Sequence, residues 1–170
     1  RNVLTSIKNH YTMNYDEALN MMFNKNEYLY DKSKGNDLSR YTFLGSWSDH
    51  YKSWISAKNY NRIVIRYEDL ENNKLETLKN LIIFVNKISG VKEIDEKKFS
   101  NAIQSTNFKN LKIKEKLEGF PEAVQSKQSK KTLKFFNLGF ENKWQKILPE
   151  NVKMRLNVEL KDDLKFWKYN

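Results

Sequence analysis

Apolar positions along this chain fall mostly into helical spacings, broken once by an unalternated β-branched run. Val3, Leu4, Ile7 and Tyr11 predict a helix over 2–13 with Asn2 as its cap, and Ala18, Met21 and Met22 predict a second over 14–24. A third starts near Ser46, where Trp47, Tyr51, Trp54 and Ile55 build an apolar face with His50 beside it, read as a hydrogen-bonded packing residue. Ile63, Val64 and Ile65 do not alternate, which predicts a strand buried on both faces, as in a parallel sheet. Polar Tyr67, Glu68 and Asp69 follow at its C-terminal end, where open α/β sheets bind ligands. The competing reading is local: Asp69 caps a helix running through Leu75, Leu78, Ile82 and Val85 to Ser89-Gly90, with Tyr67 packed beneath.

Beyond that helix, Phe99 and Ile103 mark one side of a short helix within 93–104, and 109–117 is a charged helical segment. Lys32–Asn36 is a polar connection, and 118–131 has few apolar anchors, so it is expected as a mobile loop. Phe135-Phe136-Asn137-Leu138-Gly139 ends in a residue that permits close backbone approach or positive φ. Pro149 then opens a helical stripe of Val152, Leu156, Leu160, Leu164 and Trp167. There is no internal repeat.

Composition narrows the function classes. With 170 residues, 39% hydrophobic and 14% aromatic, the chain holds apolar material for one globular domain. No apolar run approaches the ~20 residues of a membrane span, and a soluble protein is expected. Absence of cysteine excludes disulfides and thiolate metal sites, and His10 and His50 are too few and too far apart to imply a metal centre. The net charge of +10 points to an anionic partner: nucleic acid, a phosphorylated nucleotide or an acidic glycan. Most lysines are interleaved with Glu and Asp as a solvated face; Lys127, Lys130, Lys131 and Lys134 are the one cluster.

Several of these stretches, in this order, resemble the C-terminal part of the PAPS-dependent sulfotransferases. Arg1-Asn2-Val3-Leu4-Thr5-Ser6 is similar to the end of the family's Arg-x-Pro-Arg-Asp/Asn-Val-x-x-Ser pattern, which implies that Ser6 binds the cofactor's 3′-phosphate. A second register would make Arg1 the phosphate-binding arginine and put Asn9 at the serine position, but it loses the Asn-Val match. Gly45-Ser46-Trp47 with His50 and Trp54 resembles the Gly-x-Trp-x-x-His-x-x-x-Trp helix, and 61–70 resembles the strand that ends in Tyr-Glu-Asp-Leu, whose Tyr, here Tyr67, contacts adenine. Thr106-Asn107-Phe108 is similar to the Thr-Ser-Phe that holds the adenosine end. Phe135 to Trp144, with Phe135, Phe136 and Gly139, resembles the segment that closes over the cofactor.

The resemblance implies an α/β fold: a three-layer, P-loop-like, parallel-sheet domain whose N-terminal part lies outside this chain, mostly helical in the part present, with 1–170 the C-terminal part of a single domain. The implied reaction moves a sulfuryl group from 3′-phosphoadenosine 5′-phosphosulfate (PAPS) to a hydroxyl or amine of a small-molecule or glycan acceptor. Cytoplasmic localisation is expected and nucleic acid is not an expected partner. The family's phosphosulfate loop and catalytic base precede the serine motif, so no catalytic residue is assigned here and the piece alone is expected to be inactive. Asn137-Leu138 stands where the family has Arg-Lys, and losing one charge-assisted bond implies roughly tenfold weaker 3′-phosphate binding unless Lys134 or Lys143 replaces it. A nucleotide kinase of related architecture and a basic nucleic-acid- or glycan-binding module are the alternatives.

Overall fold

The computed structural model of the chain describes residues 1–30, 37–125 and 131–169. In chain order the elements are α1 (Asn2–His10), α2 (Tyr15–Phe23), β1 (Tyr28–Tyr30), β2 (Tyr41–Phe43), α3 (Trp47–Ser56), α4 (Tyr67–Asn72) and α5 (Lys74–Ser89). They continue with α6 (Glu96–Ser105), α7 (Phe108–Glu118), β3 (Val124–Gln125), β4 (Thr132–Leu133), α8 (Trp144–Ile147), α9 (Glu150–Glu159) and α10 (Lys161–Phe166). The chain divides into two compact units, one of Arg1–Lys58, Val124–Leu133 and Asn142–Asn170, the other of Asn59–Ala123 and Lys134–Glu141.

The first unit holds the apolar core. Leu4 of α1, Ala18, Leu19 and Met22 of α2, and Leu148, Val152, Leu156 and Leu160 around α9 are buried together, with Trp47, Trp144 and Leu164 packed on them. The predicted stripes supply Leu4, Ala18, Met22, Val152, Leu156 and Leu160, while Leu19 and Leu148 lie outside them and Val3 is exposed. Asn14 closes α2 with a capping box, its side chain accepting from the Glu17 amide while the Glu17 carboxylate accepts from the Asn14 amide, both at 2.9 Å. Ser46 caps α3 through the Asp49 amide. β1 and β2 pair antiparallel with Tyr28 opposite Phe43, and β3 pairs antiparallel with β4.

Several expectations change here. Asn2 does not cap α1; Arg1 occupies that position, and the Asn2 side chain accepts from the Trp144 amide instead. His50 is exposed, not packed, and Trp54 is also exposed, because the buried edge of α3 is narrower than the four-residue stripe and runs through Trp47 and Tyr51. The 149–167 stripe is right in its positions, but the helix breaks at Leu160, which ends α9 and begins α10. Of the expected mobile loop over 118–131, Glu118 ends α7 and 124–125 form an arm of a hairpin, while 126–130 lie outside the described residues, as does the polar connection Lys32–Asn36.

In the second unit, the largest correction falls on Ile63–Ile65. The stretch 61–66 is not a strand, and Val64 is 53% exposed. β-branched residues favour an extended backbone, which Arg66 keeps (φ −86°, ψ 146°), but a strand also needs a neighbour to share its ladder, and none of the described residues pairs with it. The described sheets are both two-stranded and antiparallel, so the parallel sheet is not built from these residues, while the mostly helical expectation holds. Asp69 is not an N-cap either. It sits in the first turn of α4, where its carboxylate takes two bonds from the Arg66 guanidinium at 3.1 and 3.2 Å. Asn73 (φ −134°) separates α4 from α5, and the Thr77 hydroxyl ties them by donating to the Asp69 carbonyl. Of the α5 stripe, Leu78 and Ile82 are half-buried while Leu75 and Val85 stay exposed.

Candidate functional site

The second unit gathers an aromatic cluster around the start of α7. Asn107 caps that helix by accepting from the Lys109 amide at 2.9 Å, which puts Phe108 at its first position. The 134–141 segment then returns along α7. Phe120, Phe135 and Phe136 lie with ring centroids 4.9–5.2 Å apart, and Phe108 meets Phe136 edge-on at 6.2 Å. Gly139 has φ +52°, and a Cβ there would lie 2.5 Å from the Phe108 ring. Only glycine permits both that backbone and that approach. The expected latitude of Gly139 is therefore used, and its neighbour is Phe108.

Three side-chain bonds hold the returning segment to α7. The Glu115 carboxylate, 7% exposed, accepts from the Phe135 amide at 2.6 Å and the Phe136 amide at 3.1 Å. Lys112 Nζ donates to the Asn137 carbonyl at 3.1 Å. Phe108, Lys112 and Glu115 are spaced i, i+4 and i+7, so α7 presents them along one side. Sequence reasoning missed Lys112, Glu115 and Phe120; the available signal was that spacing, hidden in a segment crowded with lysines.

The remaining expected site residues stand as follows. Thr106 ends α6 exposed, and its hydroxyl donates to the Ala102 carbonyl at 2.6 Å, so it must rotate to donate to a phosphate. Lys74 Nζ points at the carbonyls of Ile103 and Thr106, 3.5 and 3.4 Å away, bringing a cation to this turn. Tyr67, at the start of α4, is 51% exposed; its phenol is pushed up to about 12 by partial burial and by its hydrogen bond to Glu71. Ser6 belongs to the first unit, exposed midway along α1. There α1 is anchored to 142–144: Asn142 Nδ2 donates to the Asn2 carbonyl at 3.1 Å, and the Arg1 guanidinium lies 4.2 Å over the Trp144 ring. Burial lowers the Arg1 pKa from its ordinary value. The structure thus brings Phe108, Phe135, Phe136 and Gly139 into one cluster, with Thr106 two residues from Phe108.

The first unit carries a second polar cluster that the sequence did not disclose. Asp163 on α10 is 5% exposed and accepts from the Ser48 hydroxyl, the Tyr51 hydroxyl at 2.6 Å and Lys52 Nζ at 2.8 Å, all on α3. Burial alone would raise its pKa, but the Lys52, Ser48 and Tyr51 bonds outweigh burial and hold it below the ordinary carboxylate value. Tyr51 is pushed well above the ordinary phenol value, first by burial and then by Asp163. Among the described residues no group of His, Cys, Asp and Glu side chains is placed to hold a metal, and no helix is long and apolar enough to cross a membrane.

A family model for the sulfotransferase domain matches residues 1–167. The chain belongs to the sulfotransferase family. Among similar curated proteins, sulfotransferase 2A1 of Mus musculus is 32% identical over 84 residues, 47% of this chain and 28% of that protein. Sulfotransferase 2A2 of Mus musculus is 32% identical over 74 residues, 41% of this chain and 26% of that protein. The matched stretches thus span little more than a quarter of these relatives. No solved structure matches. The family carries a P-loop-like α/β fold, with which this mostly helical set of elements and its small antiparallel pairings are consistent.

Proposed function

We propose that the intact protein is a sulfotransferase that uses PAPS, and that this chain is the C-terminal part of its single domain, contributing the adenosine end of the donor site. The observation that carries this reading is the seating of Gly139 against Phe108 inside an aromatic cluster, with the Thr106 turn and its lysine beside it. Such a surface suits a purine, whose flat face stacks on aromatic rings, next to a phosphate that needs hydroxyl and cationic partners. In this reading Phe108, Phe135, Phe136 and Gly139 shape the surface for the nucleoside, Tyr67 adds its exposed ring face and Thr106 supplies a hydroxyl; the 3′-phosphate role of Ser6, in the first unit, rests on the family resemblance alone.

PAPS supplies an activated sulfuryl group. The acceptor oxygen or nitrogen bonds to sulfur as the sulfur–oxygen bond to the leaving phosphate breaks, and the acceptor proton passes to a base. The residues of this chain bind and orient the nucleotide end. The acceptor is a small molecule or glycan bearing a hydroxyl or amine, and the protein is cytoplasmic.

The test is calorimetric titration of the intact protein with adenosine 3′,5′-bisphosphate, paired with a transfer assay from PAPS to a panel of phenols, alcohols and amines. Saturable nucleotide binding with transfer to one acceptor class is expected. Salt-dependent binding to heparin or DNA with no nucleotide binding would replace this reading by the basic-module one.

A further inference from the structure

Glu115 is out of place by composition. It follows Lys109, Lys112 and Lys114 on a charged helix exposed apart from half-buried Phe108 and Leu111, yet it is the single buried residue of the second unit among those whose side chains are described. A buried carboxylate is costly unless its oxygens are hydrogen-bonded, and both oxygens here accept from backbone amides 20 and 21 residues further along the chain. Those amides belong to Phe135 and Phe136, and three residues beyond them Gly139 meets the Phe108 ring with no room for a methyl group. Phe108 and Glu115 share α7, so the carboxylate fixes the distance between the helix that carries Phe108 and the segment that carries Gly139.

We propose that Glu115 is a positioning residue for nucleotide binding: by gripping the Phe135 and Phe136 amides it sets Gly139 against Phe108 and so shapes the surface that receives adenosine. This rests on the reading of Phe108 and Gly139 as nucleotide-binding. Lys112 acts with it, fixing the Asn137 carbonyl between the two anchored ends.

The experiment uses the intact enzyme with adenosine 3′,5′-bisphosphate as the probe and Glu115→Gln as the main variant. Gln keeps the size but turns an NH2 group towards one of the two amides. Expected results are about tenfold weaker probe binding, a matching rise in KM for PAPS with acceptor KM unchanged, and faster hydrogen exchange at the amides of 135 and 136. Lys112→Met removes one bond from an exposed side chain and is expected to raise the same KM about threefold, which keeps the proposal testable should the Gln variant fail to fold. Faster exchange with unchanged affinity and KM would make Glu115 a stabiliser only and overturn the proposal while leaving the nucleotide reading intact. Absence of probe binding by the unaltered enzyme would instead bring down the nucleotide reading and this proposal with it.

Discussion

Replacing Asp163 should be among the most damaging single changes outside the apolar core. Its carboxylate joins α10 to three side chains of α3 that lie more than a hundred residues earlier in the chain. Hydrogen bonds to a charged group are worth roughly 1.5–3 kcal/mol each, and Ser48 and Tyr51 are half-buried, so they have limited access to replacement water. Lys52 is 56% exposed and its pair adds at most about 1 kcal/mol. For Asp163→Ala the loss is about 3–7 kcal/mol, or a melting temperature lower by roughly 6–28 °C at 2–4 °C per kcal/mol. Asp163→Asn keeps one acceptor oxygen and should cost about half as much.

A double-mutant cycle separates the bond from general disturbance. Tyr51→Phe and Asp163→Asn, singly and together, should give a coupling of about 1–2 kcal/mol by chemical denaturation. The pH dependence has a definite sign. The folded-state pKa of Asp163 lies below its ordinary 3.8, so its contribution is present above that value and disappears as pH falls through the lower folded value. Tyr51 is raised above 10, so its contribution is complete below pH 10 and fades as pH rises towards its folded value. Asp163→Asn should flatten the acid side of the stability profile. Additive single effects, or an acid side unchanged by the substitution, would refute this account of the cluster.

Three further outcomes follow from the same structure. Gly139→Ala forces a Cβ into the Phe108 ring at φ +52° and should cost about 1–3 kcal/mol with weakened nucleotide binding, part of the stability loss being recovered in Phe108→Ala/Gly139→Ala when both are compared by denaturation. Glu71→Gln should lower the Tyr67 phenol from about 12, seen as an earlier ionisation step in an ultraviolet-monitored titration and absent from Tyr67→Phe. Asn2→Ala frees the Trp144 amide and leaves the Asn142 bond and the Arg1–Trp144 stacking to tie α1 to 142–144, with about 1 kcal/mol lost and a shift in tryptophan fluorescence.

What the sequence disclosed and what it hid differ in kind. Helices are marked by a stripe that repeats every three or four residues, and α1, α2, α3, α5, α6 and α9 lie where those stripes place them, while α7 falls in the stretch read as a charged helical segment. Ile63–Ile65 was misjudged because a β-branched run reports a backbone preference, whereas a strand depends on what lies beside it. The clustering of Phe108 with Phe135, Phe136 and Gly139 was legible through motif order, since each motif alone is compatible with packing. Glu115 left only its helical spacing from Phe108 and Lys112, and Asp163 left no mark, for a carboxylate among many charges acquires its role only when distant amides or hydroxyls arrive.

That contrast predicts different responses in the two units. Among the described residues the first has eight buried apolar side chains, and dispersion and burial tolerate small shifts as long as volume is kept. The second buries one described side chain, a carboxylate, and is held by directional bonds from Glu115, Lys112, Lys74 and Thr77. A directional bond fixes where groups sit more than how firmly the whole is held. Substitutions in the second unit should therefore degrade nucleotide recognition before they degrade stability, and those in the α1–α2–α9 core should do the reverse. Measuring both quantities across Leu156→Ala, Leu19→Ala, Glu115→Gln and Thr77→Val tests this ordering, which fails if the two quantities fall in step in both units.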